Sequence, residues 1–236
     1  MPDRGQSELL GFALVFSIII VAITLITTTG FAGLHGAQDH QQTVHIQSAY
    51  ELFGTNVNHV TEQGVPSRST EVKLGSGALH VDDSLVVHLD AGEIARTVEV
   101  GALIYESDGD TQIAYESGMA IRQDAGESVG FGTPATSTGE ATVFRIVDLE
   151  SSGSTAVGGT TTVLVRAEQV DTEVIEPSAN ETTTIEFETA HPTVWNDHLT
   201  DVVAESHGCD LVAETTVECQ PGHGYIVIDT IAISFR

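Results

Sequence analysis

The longest uncharged run in the chain constrains most strongly what it can fold into. No Asp, Glu, Lys or Arg occurs from Leu9 through Gln38. A helix over residues 9–26 is about 27 Å long at a rise of about 1.5 Å per residue. If it continues to Leu34, it is longer than the bilayer core, which is about 30 Å thick. Because a spanning segment must satisfy its backbone hydrogen bonds internally, this run is predicted to be a transmembrane helix.

An unusual pentapeptide, Arg4-Gly5-Gln6-Ser7-Glu8, precedes the run. An ordinary secretory signal would instead carry a small-residue cleavage site behind a shorter apolar core, and residues 27–33 match such a site poorly. The pentapeptide and the apolar helix together resemble the class III signal of archaeal type IV pilins and archaellins. In that family a membrane-embedded prepilin-type peptidase cuts after the Arg-Gly pair and leaves the helix on the mature protein. The resemblance implies cleavage between Gly5 and Gln6.

The same resemblance implies an assembly role for Glu8. In many type IV pilins the fifth mature residue is a carboxylate that pairs with the new amine of a neighbouring subunit. Glu8 would be the third mature residue, so the helical registry between subunits would have to differ. An ionised carboxylate beside an apolar helix still needs a cationic partner. The predicted partner is therefore the free amine of Gln6 on another subunit.

Charge limits the possible partners. The formal net charge is -26, from 34 acidic and 8 basic residues, which excludes nucleic acid because phosphate binding needs a basic face. The acids are dispersed among Val, Ile and Leu, unlike those of a disordered acidic tail. They indicate a folded domain with an acidic surface. Lys73 is the only lysine, a pattern typical of halophilic proteins, in which high salt screens self-repulsion.

Two cysteines, Cys209 and Cys219, lie near the end of the chain. In an exported domain a disulfide is the expected state of such a pair. It would close a loop of about ten residues and stabilise the fold by about 2–3 kcal/mol. The alternative is a zinc site that also uses His207 or His223, although this cysteine and histidine spacing is not a recognised ligand pattern.

Apolar residues keep a helical spacing after the membrane run. Ile46, Ala49, Tyr50, Phe53, Val57 and Val60 recur every three or four residues and form one stripe. The sequence predicts an amphipathic helix over residues 35–64, ended by Gly64-Val65-Pro66. Gly30, Gly33 and Gly36 would loosen the junction with the apolar helix, since each costs a helix interior about 1 kcal/mol. An anchor with a separate stalk helix is the alternative to one long helix.

The period changes to two after Pro66, which predicts short β-strands. Residues 102–105 and 113–116 flank a turn at 107–110 and are predicted to form a hairpin. Other alternating segments lie at residues 71–74, 79–81, 85–89, 119–122, 142–147, 162–166 and 184–187. Strands of this length between Gly, Ser and Asp clusters are typical of an antiparallel sandwich-like sheet.

A second helix is predicted after His191, with Pro192 at its start and Gly208 at its end. Trp195 is expected in the core. Residues 209–219 are predicted to form a hairpin, and residues 225–235 a final strand at the centre of a sheet, because they are rich in Ile and Val. The predicted fold class is α+β. It comprises a leader stub (1–5), a transmembrane or pilin-core helix (6–34), an amphipathic extension (35–64) and an extracellular β-rich domain (65–236) with one short helix near the C-terminus.

Sequence motifs for catalysis are absent. The chain contains no nucleophile elbow, phosphate loop, His-Glu-x-x-His or dinucleotide fingerprint. The ten histidines are scattered, and His80 and His88 would lie some 26 Å apart along one strand. We therefore expect no enzyme, no cofactor and no metal site. Asn180 begins an Asn-Glu-Thr sequence, which is a candidate glycosylation sequon.

These features favour a cell-surface structural or adhesion protein. Residues 64–68, 104–109, 163–166 and the terminal Ile-x-Ile-Ser-Phe look like those of haloarchaeal pilin-like secreted proteins. The resemblance implies a single-pass cell-membrane protein with its C-terminal domain outside, assembled with other pilin subunits and the assembly machinery. The alternative is a membrane-anchored extracellular binding module that never assembles. A prepilin-type peptidase and membrane lipid are the other expected partners.

Overall fold

The computed structural model describes the backbone of residues 4–132, 134, 136, 138, 141–177 and 179–236; the side chains of residues 4–10 and 29–39 lie outside this description. Residues 1–3 of the predicted leader stub are likewise not described. The chain divides into two compact units, Met1–Val44 and His45–Arg236. The predicted α+β class is confirmed: an apolar N-terminal helix, a β-rich domain and a short helix near the C-terminus.

The described chain forms two helices and thirteen strands. Their bounds are α1 Arg4–Gln63, β1 Ser67–Lys73, β2 Ala78–Ala91, β3 Ile94–Glu106, β4 Thr111–Glu116, β5 Met119–Asp124, β6 Glu127–Gly130, β7 Thr142–Ser151, β8 Ala156–Gly158, β9 Thr162–Ile175, β10 Thr183–Thr189, α2 Pro192–Glu205, β11 Cys209–Ala213, β12 Thr216–Cys219 and β13 Gly224–Phe235.

The backbone of α1 is helical through Gly30, Gly33 and Gly36, where the sequence predicted a looser junction. The cost of about 1 kcal/mol for each isolated glycine therefore does not break the helix. The helix ends at Gln63, and Gly64 follows with φ of +65°. The predicted stop at Gly64-Val65-Pro66 is confirmed, because a positive φ is accessible to glycine at little steric cost.

In the second unit the last part of α1 packs into the β-domain through the predicted apolar stripe. Ile46, Tyr50, Phe53, Val57 and Val60 are each at most 1% exposed. The Tyr50 hydroxyl donates a hydrogen bond to the Leu103 carbonyl oxygen (3.2 Å), and burial raises its pKa. Asn56 Nδ2 donates to Thr70 Oγ1 at 2.9 Å. Apolar burial and these polar contacts hold residues 45–63 against β1 and β3.

A four-stranded sheet has the order β1-β9-β13-β7. The predicted central position of the final strand is confirmed, since β13 lies between β9 and β7. The β13–β7 pair is parallel, and this differs from the purely antiparallel expectation. Parallel pairing needs a long crossover connection, and the chain between β7 and β13 provides one that includes β8 to β12 and α2.

The larger sheet is antiparallel, in the order β11-β12-β10-β2-β3-β4-β5-β6, with β8 paired to the start of β2. The predicted hairpin is confirmed, with Ala102 opposite Glu116 and Tyr105 opposite Ile113. The predicted strand segments at residues 79–81 and 85–89 form one strand, β2, interrupted by a bulge between Asp83 and Leu85. Because a bulge adds one residue, it bends the strand and changes which side chains face inward.

Two large hydrophobic cores lie within the described part of the β-domain, besides a small cluster of Ala102, Ile104 and Ala114. One core surrounds α2 and includes Trp195 and Phe187, whose rings stack with centroids 4.8 Å apart. The other core surrounds residues 46–60 of α1. Trp195 is 2% exposed, as predicted for a core residue. α2 ends at Glu205, three residues before the predicted stop, and Gly208 instead takes a positive φ just before β11.

Candidate functional site

The segment Gly11–Thr28 of α1 is the candidate functional site of the first unit. Its mean hydropathy is 2.5, and none of it is buried within the chain. Large aliphatic and aromatic side chains lie exposed on all its faces, from Ile20 at 48% to Phe12 at 72%. By length and composition this helix can cross a membrane, although a signal sequence has the same properties. A helix that is apolar on every side requires an apolar environment outside itself.

The polar side chains of this segment bond within the helix. Ser17 Oγ donates to the Ala13 carbonyl oxygen at 2.7 Å, and Thr24 Oγ1 donates to that of Ile20 at 2.8 Å. Thr28 Oγ1 donates to the carbonyl oxygen of Thr24 at 2.9 Å. These three hydroxyl donors therefore need no water, and they can enter hydrocarbon without an unsatisfied hydrogen bond.

The residues predicted for processing and assembly lie at the beginning of α1. Gly5 and Gln6 have helical backbone. The side chains of Gln6 and Glu8 lie outside the described part of the structure. Cleavage after Gly5 and pairing of Glu8 with a neighbouring subunit therefore stay predictions.

The predicted disulfide joins Cys209 to Cys219, with the sulfur atoms 1.98 Å apart. The two cysteines are directly opposite each other in the β11–β12 hairpin, as the sequence predicted. Both are buried in the core around α2. The alternative zinc site is wrong, because thiolate ligands are not available from a disulfide.

The candidate glycosylation residue, Asn180, is exposed between β9 and β10. Its modification stays a prediction. His80 and His88 are on opposite sides of the β2 bulge, which the sequence did not predict. Within the described ranges, no three His, Cys, Asp or Glu side chains are placed to hold a metal ion.

A buried carboxylate that the sequence did not reveal connects four elements of the β-domain. Glu116, at the end of β4, is fully buried. Its Oε1 accepts hydrogen bonds from Trp195 Nε1 (2.6 Å) and Thr189 Oγ1 (2.7 Å), and its Oε2 accepts one from Ser84 Oγ (3.0 Å). The adjacent Ser117 has a φ of +46°, and its Oγ accepts a hydrogen bond from Val147 N. Because each donor comes from a different element, the arrangement fixes the fold.

A second buried carboxylate links three neighbouring strands of the four-stranded sheet, β9, β13 and β7. Asp229 on β13 is fully buried. Arg145 Nη1 on β7 donates to Asp229 Oδ2, and the side chains of Gln169 (2.9 Å) and Thr172 (2.7 Å) on β9 donate to Oδ1. Removal of either charge would leave the other poorly compensated, so this pair also has a structural role.

Asp148 on β7 connects the four-stranded sheet with β3 of the larger sheet. Its Oδ1 accepts a hydrogen bond from the Gly101 amide at 2.9 Å. Burial raises the Asp148 pKa, the Gly101 hydrogen bond opposes that rise, and the negative charges of Glu150 and Asp83 add to it. These three carboxylates organise the domain, and the apolar helix stays the candidate functional site.

The chain matches a family of unknown function, DUF7289, over residues 4–234. It belongs to that family, since the match covers nearly the whole chain. No curated protein and no solved structure matches it.

Proposed function

We propose that this member of DUF7289 is a type IV pilin-like subunit of the cell surface. Its apolar helix anchors it in the membrane and then packs against copies of itself. The observation that carries the proposal is that all of Gly11–Thr28 is exposed, although it is the most apolar part of the chain. Lipid and neighbouring helices are the two environments that remove such a surface from water.

Two properties of the β-domain support a location at the cell surface. Its disulfide is typical of proteins outside the cytoplasm. Its acidic, lysine-poor composition suits solubility in a salty exterior. In this proposal the domain stays outside, while a prepilin-type peptidase removes residues 1–5. Assembly of identical helices by a repeated head-to-tail contact that does not close into a ring produces a filament.

Anchoring is tested by placing charge on the exposed helix. We expect the double variant Ile19→Arg, Ile20→Arg to move the protein from carbonate-washed membranes into the soluble fraction. Each arginine at the centre of a span costs about 2.5–3.5 kcal/mol. The matched control is Val44→Arg, Leu52→Arg, at residues of α1 outside the span with similar exposure (46% and 52%, against 50% and 48%). Equal release of both double variants, or of neither, would contradict the proposal.

Processing and assembly are tested on the exported protein. Mass spectrometry is expected to show Gln6 as the first residue, free or cyclised, and Gly5→Phe to leave the precursor uncut. Glu8→Gln is expected to reduce incorporation into sheared surface filaments at least about tenfold, while membrane insertion and cleavage continue. An N-terminus near Gly33 would instead identify a removed signal peptide. A processed protein that never enters filaments would favour the tethered binding module.

A further inference from the structure

A cavity of the second unit lies between the last part of α1 and the strands β4 and β5. Its volume is about 200 Å³. The α1 side includes Glu51, Thr55 and Asn58, and the opposite side includes Tyr115 of β4 and Phe131, which follows β6. Glu51 and Thr55 are exposed, whereas Tyr115 is 1% exposed. The cavity therefore opens to solvent along α1, and Tyr115 belongs to its floor. We call it the α1 cavity.

A glycine of α1 brings the hydroxyl end of Tyr115 to this cavity. A Cβ at Gly54 would lie 3.2 Å from Tyr115 Cε2 and 3.9 Å from Cδ2. Cε2 is bonded to the ring carbon that carries the hydroxyl, so the hydroxyl end of the ring lies closer to Gly54 than the backbone end does. Gly54 and Asn58 both line the cavity and lie one helical turn apart. The Tyr115 hydroxyl is therefore near the α1 side of the cavity.

Two polar groups of the cavity lack a hydrogen-bond partner within the described part of the chain. The Tyr115 hydroxyl is buried and unpaired there. Asn58 accepts a bond from Thr61 at its backbone oxygen, but its side-chain amide bonds to none of the described residues. Burial and the negative charge of Glu62 raise the pKa of Tyr115, so its hydroxyl stays protonated and remains a donor. Because buried polar groups in native proteins are nearly always paired, these two groups indicate a place for a polar ligand.

The lining restricts the class of ligand. The volume of about 200 Å³ is below the roughly 300–1,000 Å³ of a drug-sized site, so the cavity fits one small ring. None of the described lining residues is basic, and the nearby carboxylates of Glu51 and Glu62 disfavour an anion. An apolar molecule would leave Asn58 and Tyr115 unpaired. An organic cation would leave the Tyr115 donor without an acceptor. A small, uncharged ring with several oxygen atoms satisfies all four conditions.

We infer that the α1 cavity binds one neutral pyranose ring, either as a free sugar or at the end of a surface glycan. Each sugar hydroxyl both donates and accepts. The ring therefore accepts from Tyr115 and pairs with the Asn58 amide and the Glu51 carboxylate in the same pose. Its less polar face packs on Phe131, which is partly exposed at the cavity. The inference uses no property of the apolar helix, so it does not rest on the proposed function.

Binding is tested by saturation-transfer NMR on the full chain, in a detergent whose headgroup is not a sugar. The probes are the methyl glycosides of glucose, galactose and mannose. At least one is expected to bind with a dissociation constant on the order of 1 mM. Glucuronic acid, a pyranose with an added carboxylate, and choline, a cation, are expected to bind at least about tenfold more weakly. A disaccharide that ends in the bound ring distinguishes the two sources, because a site for free sugar would exclude it.

A matched pair of tyrosine variants separates ligand binding from stability. Tyr115→Phe is expected to weaken sugar binding about fivefold and to leave the melting temperature within about 1 °C of the parent, since the lost hydroxyl has no protein partner. Tyr105→Phe is the control, because that buried hydroxyl donates to the Leu74 carbonyl oxygen at 3.0 Å. It is expected to lower the melting temperature by about 2–4 °C and to leave sugar binding unchanged. Asn58→Leu is expected to weaken binding at least about fivefold.

Three results would overturn the inference. One is a dissociation constant weaker than about 10 mM for all three glycosides. Another is equal or tighter binding of choline or glucuronic acid. The third is an equal effect of Tyr115→Phe and Tyr105→Phe on sugar affinity. Membrane partition and the mature N-terminus are measured on the same preparations, so failure of the proposed function is observed separately.

Discussion

Glu116→Ala is expected to lower the free energy of unfolding by about 3 kcal/mol or more. The alanine removes the shared acceptor of Trp195 Nε1, Thr189 Oγ1 and Ser84 Oγ. A buried donor left without an acceptor costs about 1–3 kcal/mol, and the two hydroxyls recover part of that cost by rotating. A typical domain is stable by about 5–15 kcal/mol, so this loss is a large fraction of the total.

Urea unfolding of the detergent-solubilised chain measures this effect, with the fluorescence of Trp195, the only tryptophan, as the probe. Glu116→Gln keeps a side chain of the same shape with one acceptor oxygen. It is expected to lower the free energy of unfolding by less than half as much as Glu116→Ala. Glu186→Ala, at an exposed glutamate of β10, is expected to stay within about 0.5 kcal/mol of the parent. If the two alanine variants were equally stable, the hydrogen bonds of Glu116 would not contribute as argued.

Gly101→Ala is expected to destabilise the domain by about 3 kcal/mol or more, or to prevent its folding. A Cβ at Gly101 would lie 2.1 Å from the Leu149 carbonyl oxygen and 3.1 Å from its carbonyl carbon. Overpacking against movable side chains costs about 1–3 kcal/mol. The obstacle here is the backbone of β7, whose displacement would also lengthen the hydrogen bond from Gly101 to Asp148.

Thermal unfolding followed by circular dichroism provides the comparison for this variant. The control is Gly109→Ala in the β3–β4 turn, where the nearest atom to the added Cβ is Ser107 Oγ at 3.7 Å. This control is expected to melt within about 2 °C of the parent. A Gly101→Ala protein with an unchanged melting temperature would mean that the two sheets separate at no cost.

Features that depend on local pattern could be predicted from the sequence. The apolar helix follows from length and hydropathy, and the stripe from Ile46 to Val60 follows from helical periodicity. The alternation of β13 and its Ile and Val content predicted a buried central strand. Cys209 and Cys219 had no other cysteine to pair with. Each conclusion depends on residues close in sequence or, for the disulfide, on there being only one possible pairing of two cysteines.

Features that depend on contacts between distant residues could be decided only by the tertiary structure. Glu116 and Trp195 are 79 positions apart, and no local pattern distinguishes Glu116 from the exposed glutamates around it. The β2 bulge, the parallel pairing of β7 with β13 and the close approach at Gly101 are likewise consequences of packing. The sequence determined which segments are apolar and regular, because those properties are local; the tertiary structure decided which polar groups meet, because burial and hydrogen bonding are properties of the whole fold.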